Sequence, residues 1–344
     1  MNLQPKVKQL VWGNFLPVLA PVLVLVVGFG LMSWVNVSGL PIDAPKSEFK
    51  SATIIGQESV ARYWTGLTLL LMVVVSIGAG LYAMVFAWNA SSDESSRGRF
   101  IVTLGLLIAV VLFAIFGLDD TSFYEYLSLK VFSGTLGAYP GEPNRLLMLD
   151  HIIDLGNTVP PIAAAILATA VCTLVPDKAN ALKLDASGNQ QARDEAAAQI
   201  ALQIVLLKRY LGAASLVLLI GLTHMKAWRD WPLAFWPNAT DKSAIAFQQL
   251  VDASISYQAV HFVCILAAIF LPIAYRLKTQ SMRLAVLEHG EQIGSSHATW
   301  LSNKGLSLNT SEITQRAIAI ISPFLVPAAG PAVEILKKIP EMFS

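Results

Sequence analysis

Charged side chains are scarce in this sequence of 344 residues. Asp, Glu, Lys and Arg make up only 14% of it, whereas about a quarter is typical of soluble globular proteins. Hydrophobic residues account for 55%, and long stretches of them carry no charge. Such stretches are typical of membrane-spanning helices. The formal net charge of +1 excludes a basic surface that neutralises a row of phosphates, so no nucleic-acid partner is expected.

Cysteine is also rare. Only Cys172 and Cys264 are present, and both lie within apolar stretches. They provide no disulfide framework, and we interpret each as a small core residue. The chain also lacks a phosphate-binding glycine loop, a nucleophile elbow, His-Glu-x-x-His and Cys-x-x-Cys. We therefore predict no cofactor, and an enzyme is the less favoured class.

Six apolar segments predict six transmembrane helices. Each approaches the length needed to cross about 30 Å of hydrocarbon at about 1.5 Å per residue. The segments cover residues 15–35, 63–88, 100–118, 159–175, 210–223 and 257–275. Trp and Tyr at many of their boundaries fit the aromatic belt at the lipid headgroups. The predicted fold is an all-α, polytopic membrane helical bundle in which six transmembrane helices form three outward hairpins.

The distribution of Lys and Arg predicts the orientation of the bundle. Basic residues concentrate at alternate ends of the six segments, and the positive-inside rule then places both termini in the cytoplasm. Residues 1–275 form a six-span transmembrane domain with three extracytoplasmic loops, at 36–62, 119–158 and 224–256. Residues 276–344 form a cytoplasmic helical tail. For a prokaryotic source, the membrane would be the inner one.

Two spans are expected to continue into the cytoplasm as a short helical stalk. An Ala-rich segment at 193–207 leads into the fifth span. The sixth span continues as helix and stops at Gly290. In the tail, segment 317–335 is apolar but interrupted by three prolines. This pattern favours two short helices over a seventh span, because proline breaks a helix.

No Asp, Glu, Lys or Arg lies within the core of any predicted span. Ion-coupled transporters and proton pumps commonly have a charged residue there, so this class of protein is disfavoured. A passive pore remains compatible with the sequence. His261 is the one histidine inside a predicted span. It is a candidate intramembrane switch. The alternative is a neutral imidazole that bonds a neighbouring backbone carbonyl.

Three ionisable residues before the fourth span form a candidate polar site, namely Asp150, His151 and Asp154. On a helix they lie one turn apart, where carboxylates and imidazole can hold a divalent metal or act as an acid–base pair. Asp119 and Asp120, at the outer end of the third span, would complete the site. The alternatives are a solvated acidic face and plain helix initiation at the Pro-Pro pair that follows.

The loop after the fifth span is dense in aromatic and charged residues, including Trp228, Arg229, Trp231 and Trp236. Aromatic and arginine side chains are typical of binding hot spots, so this loop is a candidate docking surface. The alternative is an interfacial loop whose rings anchor it among the lipid headgroups.

These features predict a non-enzymatic integral membrane protein in contact with the lipid bilayer. It is either a passive pore or the membrane subunit of a larger complex, with protein partners at its outer loops or its stalk. The alternative is a small-solute transporter without a buried carboxylate, in which Pro17, Pro21 and Pro272 break helices around a midplane site. A membrane enzyme using the outer Asp and His residues is the least favoured. Homo-oligomerisation is left open.

Overall fold

The computed structural model of this chain is built almost entirely from helices. It describes residues 20–28, 31, 52–90, 94–116, 143–174, 190–236, 238, 240–289, 295–308 and 315. These residues contain no strand. The predicted all-α class is therefore confirmed for this part of the chain.

A short helical segment, α1, occupies residues 20–28, and longer helices follow it. The further elements are α2 (Ala52–Ala90), α3 (Glu94–Phe116), α4 (Pro143–Thr173), α5 (Gln190–Asp230), a 3₁₀ turn (Trp231–Phe235), α6 (Lys242–His289) and α7 (Ser295–Asn303).

In the part of the chain that the structure describes, four helices are long and apolar enough to cross a membrane. They are Ala52–Ala90, Asp154–Thr173, Gln190–Phe235 and Lys242–His289. Four of the predicted spans fall on these helices. The apolar part of α3, Phe100–Val111, is shorter, and the predicted span 15–35 lies mostly outside the described residues. The fold is compatible with an integral membrane protein, whereas the predicted six spans and three hairpins are not confirmed.

Several helices extend well beyond the apolar spans. Helices α2, α5 and α6 have 39, 41 and 48 residues, whereas about 20 suffice to cross a bilayer. Parts of the predicted outer loops are consequently helical. Residues 52–62 belong to α2, 143–158 to α4 and 224–230 to α5. A helix satisfies its own backbone groups, so it can continue past the membrane boundary wherever the sequence contains no strong breaker.

Helix α4 passes through Pro160 and Pro161. The alternative prediction that a helix begins at this pair is therefore wrong, because the helix already begins at Pro143. Each proline lacks the N–H that would bond the carbonyl four residues earlier, which removes two bonds of the α4 ladder. The segment that carries Asp150, His151 and Asp154 is thus continuous with a predicted span.

Helices α2 and α5 pack side by side in opposite directions. Thr68 of α2 contacts His224 of α5, and Tyr82 contacts Tyr210 with ring centroids 6.4 Å apart. Residue numbers therefore rise along one helix while they fall along the other. Helix α2 also packs closely on α4, where a Cβ at Gly80 would lie 3.4 Å from Ile166 Cδ1. Small residues allow such close approach between membrane helices.

The far end of the bundle joins the start of α5, the end of α6 and α7. Arg193 Nη1 donates a hydrogen bond to the Leu287 carbonyl at 3.0 Å and lies 3.6 Å from Glu288 Oε2. Lys304 Nζ pairs with Asp194 Oδ1 at 3.0 Å. These contacts hold together the two helices that the sequence extends beyond the apolar segments.

Candidate functional site at the polar junction

Ionisable side chains from α2, α5 and α6 meet at one end of the bundle. We call this group the polar junction; it comprises Glu58, Arg62, Lys226, Arg229, Asp230, Trp231, Gln248 and Asp252. The junction lies just beyond the predicted spans 63–88, 210–223 and 257–275. It is therefore at the depth where apolar sequence gives way to polar sequence.

Lys226 connects α5 to α6. Its Nζ donates to Asp230 Oδ2 at 3.0 Å and to Asp252 Oδ1 at 3.1 Å. Gln248 Nε2 donates to Asp252 Oδ1 at 3.2 Å and lies 3.4 Å from Asp230 Oδ1. One ammonium and one amide thus hold two carboxylates from different helices. The junction as a whole is neutral, because Arg62, Lys226 and Arg229 balance Glu58, Asp230 and Asp252.

Glu58 carries a buried carboxylate at the start of α2. The residue is only 6% exposed. Its Oε2 lies 3.4 Å from Arg62 Nη2, and its Oε1 accepts a hydrogen bond from Trp231 Nε1 at 3.3 Å. The partners compensate the cost of burying this charge. The contact also attaches the 3₁₀ turn to α2.

The four residues of the candidate docking surface are all buried in this chain, namely Trp228, Arg229, Trp231 and Trp236. Arg229 Nη1 donates to Ser254 Oγ at 2.9 Å, and the Trp236 ring lies 5.5 Å from that of Phe247. Helix α5 continues through the first two of these residues, and the 3₁₀ turn, with Pro232 in its first turn, redirects the chain toward α6. The aromatic rings consequently pack between helices and offer little area to a partner.

A cleft of about 200 Å³ opens beside the polar junction. We call it the junction cleft; it is lined by Ala61, Trp64, Thr223, Lys226, Ala227, Asp230 and Trp231. Lys226 and Asp230 are the charged groups of this lining, and the two indole rings and the alanines supply most of its apolar surface. The cleft therefore combines a polar end with an aromatic wall.

His224 lies one turn further into the bundle and is buried. Its Nδ1 is 3.2 Å from Thr68 Oγ1. The Thr68 hydroxyl lies 3.0 Å from the backbone carbonyls of Trp64 and Thr65. Thr68 and His224 therefore share one side-chain hydrogen bond between α2 and α5, whose donor depends on the tautomer of the imidazole. A Cβ at Gly156 of α4 would lie 3.6 Å from His224 Nε2, so three helices meet at this imidazole.

His261 bonds to α1. Its Nε2 lies 3.2 Å from the Val24 carbonyl, and Tyr257 Oη donates to the Gly28 carbonyl at 2.8 Å. Gly28 is required for this approach, because a Cβ there would lie 2.3 Å from His261 Nε2. This contact is of the kind predicted by the alternative interpretation, in which the His261 imidazole bonds a backbone carbonyl. A switching role for His261 stays a prediction.

The candidate polar site before the fourth span is described only in part. Asp150, His151 and Asp154 lie on α4, and His151 and Asp154 are exposed. Asp119 and Asp120 fall outside the described residues. Over the described ranges, no group of three or more His, Cys, Asp and Glu is placed to hold a metal ion. A metal-binding or acid–base role for these residues stays a prediction.

Sequence reasoning missed the pairing partners of the polar junction. Glu58 precedes the predicted second span, and Asp252 was placed in the same loop as Lys226. The pairing of Glu58 with Arg62 could have been predicted, because the two residues are spaced i,i+4 at the start of an apolar helix. No local pattern indicated that Lys226 reaches Asp252, because that contact depends on how α5 and α6 pack.

No protein-family model matches this chain, and no curated protein or solved structure is significantly similar to it.

Proposed function

We propose that this chain is a non-enzymatic integral membrane protein that serves as the membrane subunit of a larger complex, with a sensing or docking role at the polar junction. The observation that carries this proposal is the junction cleft. It is an accessible site with both charged and aromatic groups, at one end of the apolar segments of the long helices.

The packing below the cleft favours this role over a passive pore. Within the described helices, His224, Thr68 and Met72 are buried one or two turns further in; His224 and Met72 lie beside Gly156 of α4, and Thr68 bonds His224. Deeper between α2 and α5, Tyr210 is fully buried against Tyr82. Side chains thus fill this interface, whereas a pore requires a continuous path through the membrane.

The charges of the polar junction favour a binding role over catalysis. Lys226 is held by two carboxylates, and Glu58 is held by Arg62 and Trp231. Groups compensated in this way stabilise an arrangement of helices.

A small-solute transporter remains the second candidate, and one observation supports it. Pro160 and Pro161 interrupt the hydrogen bonds of α4 directly after Gly156, which lies beside His224. Weakened helices of this kind are where transporters commonly place binding sites near the membrane midplane. The predicted break at Pro272 is wrong, because α6 continues through this residue. Replacing Pro160 and Pro161 by alanine should abolish uptake in a transporter, and should leave a docking subunit functional.

The proposal is tested by placing a photo-reactive amino acid at Ala61, which lines the junction cleft, in the full chain in its native membrane. The same amino acid at Ile101, an exposed apolar position of α3, serves as the control. A discrete protein adduct at position 61 but not at 101 supports docking in the cleft. No protein adduct at position 61 would refute it.

The same protein reconstituted into liposomes separates the pore from the subunit. We expect ion flux to be no higher than in protein-free liposomes, under any applied voltage. Flux that depends on the protein would support the pore instead.

A further inference from the structure

The junction cleft opens beside an apolar stripe on α2. Trp64, which lines the cleft, is 55% exposed. Leu67 and Leu71 follow it at helical spacings of three and seven residues, and both are exposed. Residues at these spacings lie on one face of a helix. A molecule with its polar end in the cleft could therefore lay an apolar tail along this stripe.

The polar end of the cleft offers one donor and several acceptors. An ammonium group has three hydrogens, and Lys226 gives two of them to Asp230 and Asp252. The third is left for a group that enters the cleft. The carboxylate oxygens of Asp230 retain lone pairs beyond their bonds to Lys226 and Gln248. The side chains of Lys226 and Asp230 are 39% and 34% exposed, so a ligand can reach both.

The aromatic wall and the Asp230 carboxylate both favour a cation. The Trp231 ring is held in place by its bond to Glu58, and Trp64 lines the same cleft. Indole rings attract ammonium groups through their electron-rich faces. The Asp230 carboxylate in the lining of the cleft acts in the same direction. A purely anionic ligand would gain one contact with Lys226 but would face this carboxylate.

We infer that the junction cleft binds the headgroup of a zwitterionic, ammonium-bearing phospholipid. The ammonium lies against Asp230 and the indole rings, the phosphate accepts the third hydrogen of Lys226, and the acyl chains follow the stripe of Trp64, Leu67 and Leu71. This inference extends the proposed function and rests on the membrane placement that it contains. The occupant is a membrane lipid rather than a soluble phosphate ester, because the cleft opens onto the apolar stripe.

The test is lipid binding to the purified full chain, measured by native mass spectrometry from detergent. The probes are dioleoyl phosphatidylethanolamine, dioleoyl phosphatidylglycerol and glycerophosphoethanolamine, which has no acyl chains. We expect phosphatidylethanolamine to bind about tenfold more tightly than phosphatidylglycerol, as a cation–π and carboxylate contact implies. Equal binding of the two lipids would overturn the inference. So would binding of the chain-free headgroup as tightly as the intact lipid.

Variants locate the site. Asp230→Asn should bring the ratio of the two affinities close to one, whereas Lys226→Gln should weaken phosphatidylglycerol more than phosphatidylethanolamine, because it leaves the two carboxylates without their ammonium partner. Trp64→Ala alters an exposed side chain, so it should keep the fold and still weaken phosphatidylethanolamine several-fold. Trp88→Ala, at the other end of α2 and also exposed, is the matched control and should bind like the wild type. Wild-type binding by Trp64→Ala would overturn the inference.

The two proposals fail separately. A preference for phosphatidylethanolamine without a protein adduct at Ala61 would refute the docking role alone. A protein adduct at Ala61 without a lipid preference would refute only the lipid inference.

Discussion

Tyr210 offers a test in which the structure determines the sign of the effect. The residue is 0% exposed, and its ring packs edge-to-face with Tyr82 at 6.4 Å and 78°. Its hydroxyl has no hydrogen-bond partner among the described residues. Tyr257 provides the contrast, because its hydroxyl donates to the Gly28 carbonyl at 2.8 Å.

The two tyrosines should respond in opposite directions to replacement by phenylalanine. A buried hydroxyl without a partner carries a desolvation cost of about 1–3 kcal/mol. Tyr210→Phe removes this cost and retains the ring, so we expect the free energy of unfolding to rise by about 1 kcal/mol. Tyr257→Phe removes a satisfied bond, so we expect a loss of about 1 kcal/mol. The expected difference between the variants is roughly 2 kcal/mol.

The measurement is equilibrium unfolding of the full chain in mixed micelles, followed by circular dichroism as a denaturing detergent is added. Both variants lose the same hydroxyl group, so differences between Tyr and Phe in the denatured state largely cancel. A loss of about 1 kcal/mol or more in Tyr210→Phe would show that this hydroxyl is hydrogen-bonded in the folded protein. That result would refute the reasoning.

Three further substitutions test other contacts. Gly28→Ala should lower the free energy of unfolding by about 1 kcal/mol, because a Cβ 2.3 Å from His261 Nε2 forces the imidazole away from the α1 carbonyl that it bonds. In a double-mutant cycle, adding His261→Ala should remove most of the clash. Trp231→Phe should cost roughly 1.5–3 kcal/mol in the same unfolding assay, since Glu58 loses a donor while it stays buried. Asp194→Asn should change the stability by less than about 0.5 kcal/mol, because its lysine partner is exposed; a larger loss would contradict this assignment.

Segment 224–256 illustrates a structural feature that composition does not predict. Its charged and aromatic residues were interpreted as an outer loop with a docking surface. Helix α5 instead continues to Asp230, and α6 begins at Lys242. The composition of a segment does not distinguish a surface loop from a helix end that packs against neighbours. The burial of Trp228 and Trp231 was therefore decided by the approach of α2 and α6.

The sequence by itself determined the helical class and the positions of four long apolar helices. Both depend on local properties, because a run of about 20 uncharged residues must bond its own backbone to enter a membrane. His261 could also be identified from the sequence, as the one histidine inside a predicted span. The backbone carbonyl that His261 contacts could not be identified from the sequence, because Val24 lies far away along the chain.

Only the tertiary structure decided which polar groups meet. Lys226 bonds Asp252 and Trp231 bonds Glu58 because α2, α5 and α6 converge at one end of the bundle. Such pairings join residues on different helices, and their distances follow from helix packing, which no local pattern encodes. The polar junction and its cleft are thus products of the fold, whereas the apolar helices that support them were evident from composition and length.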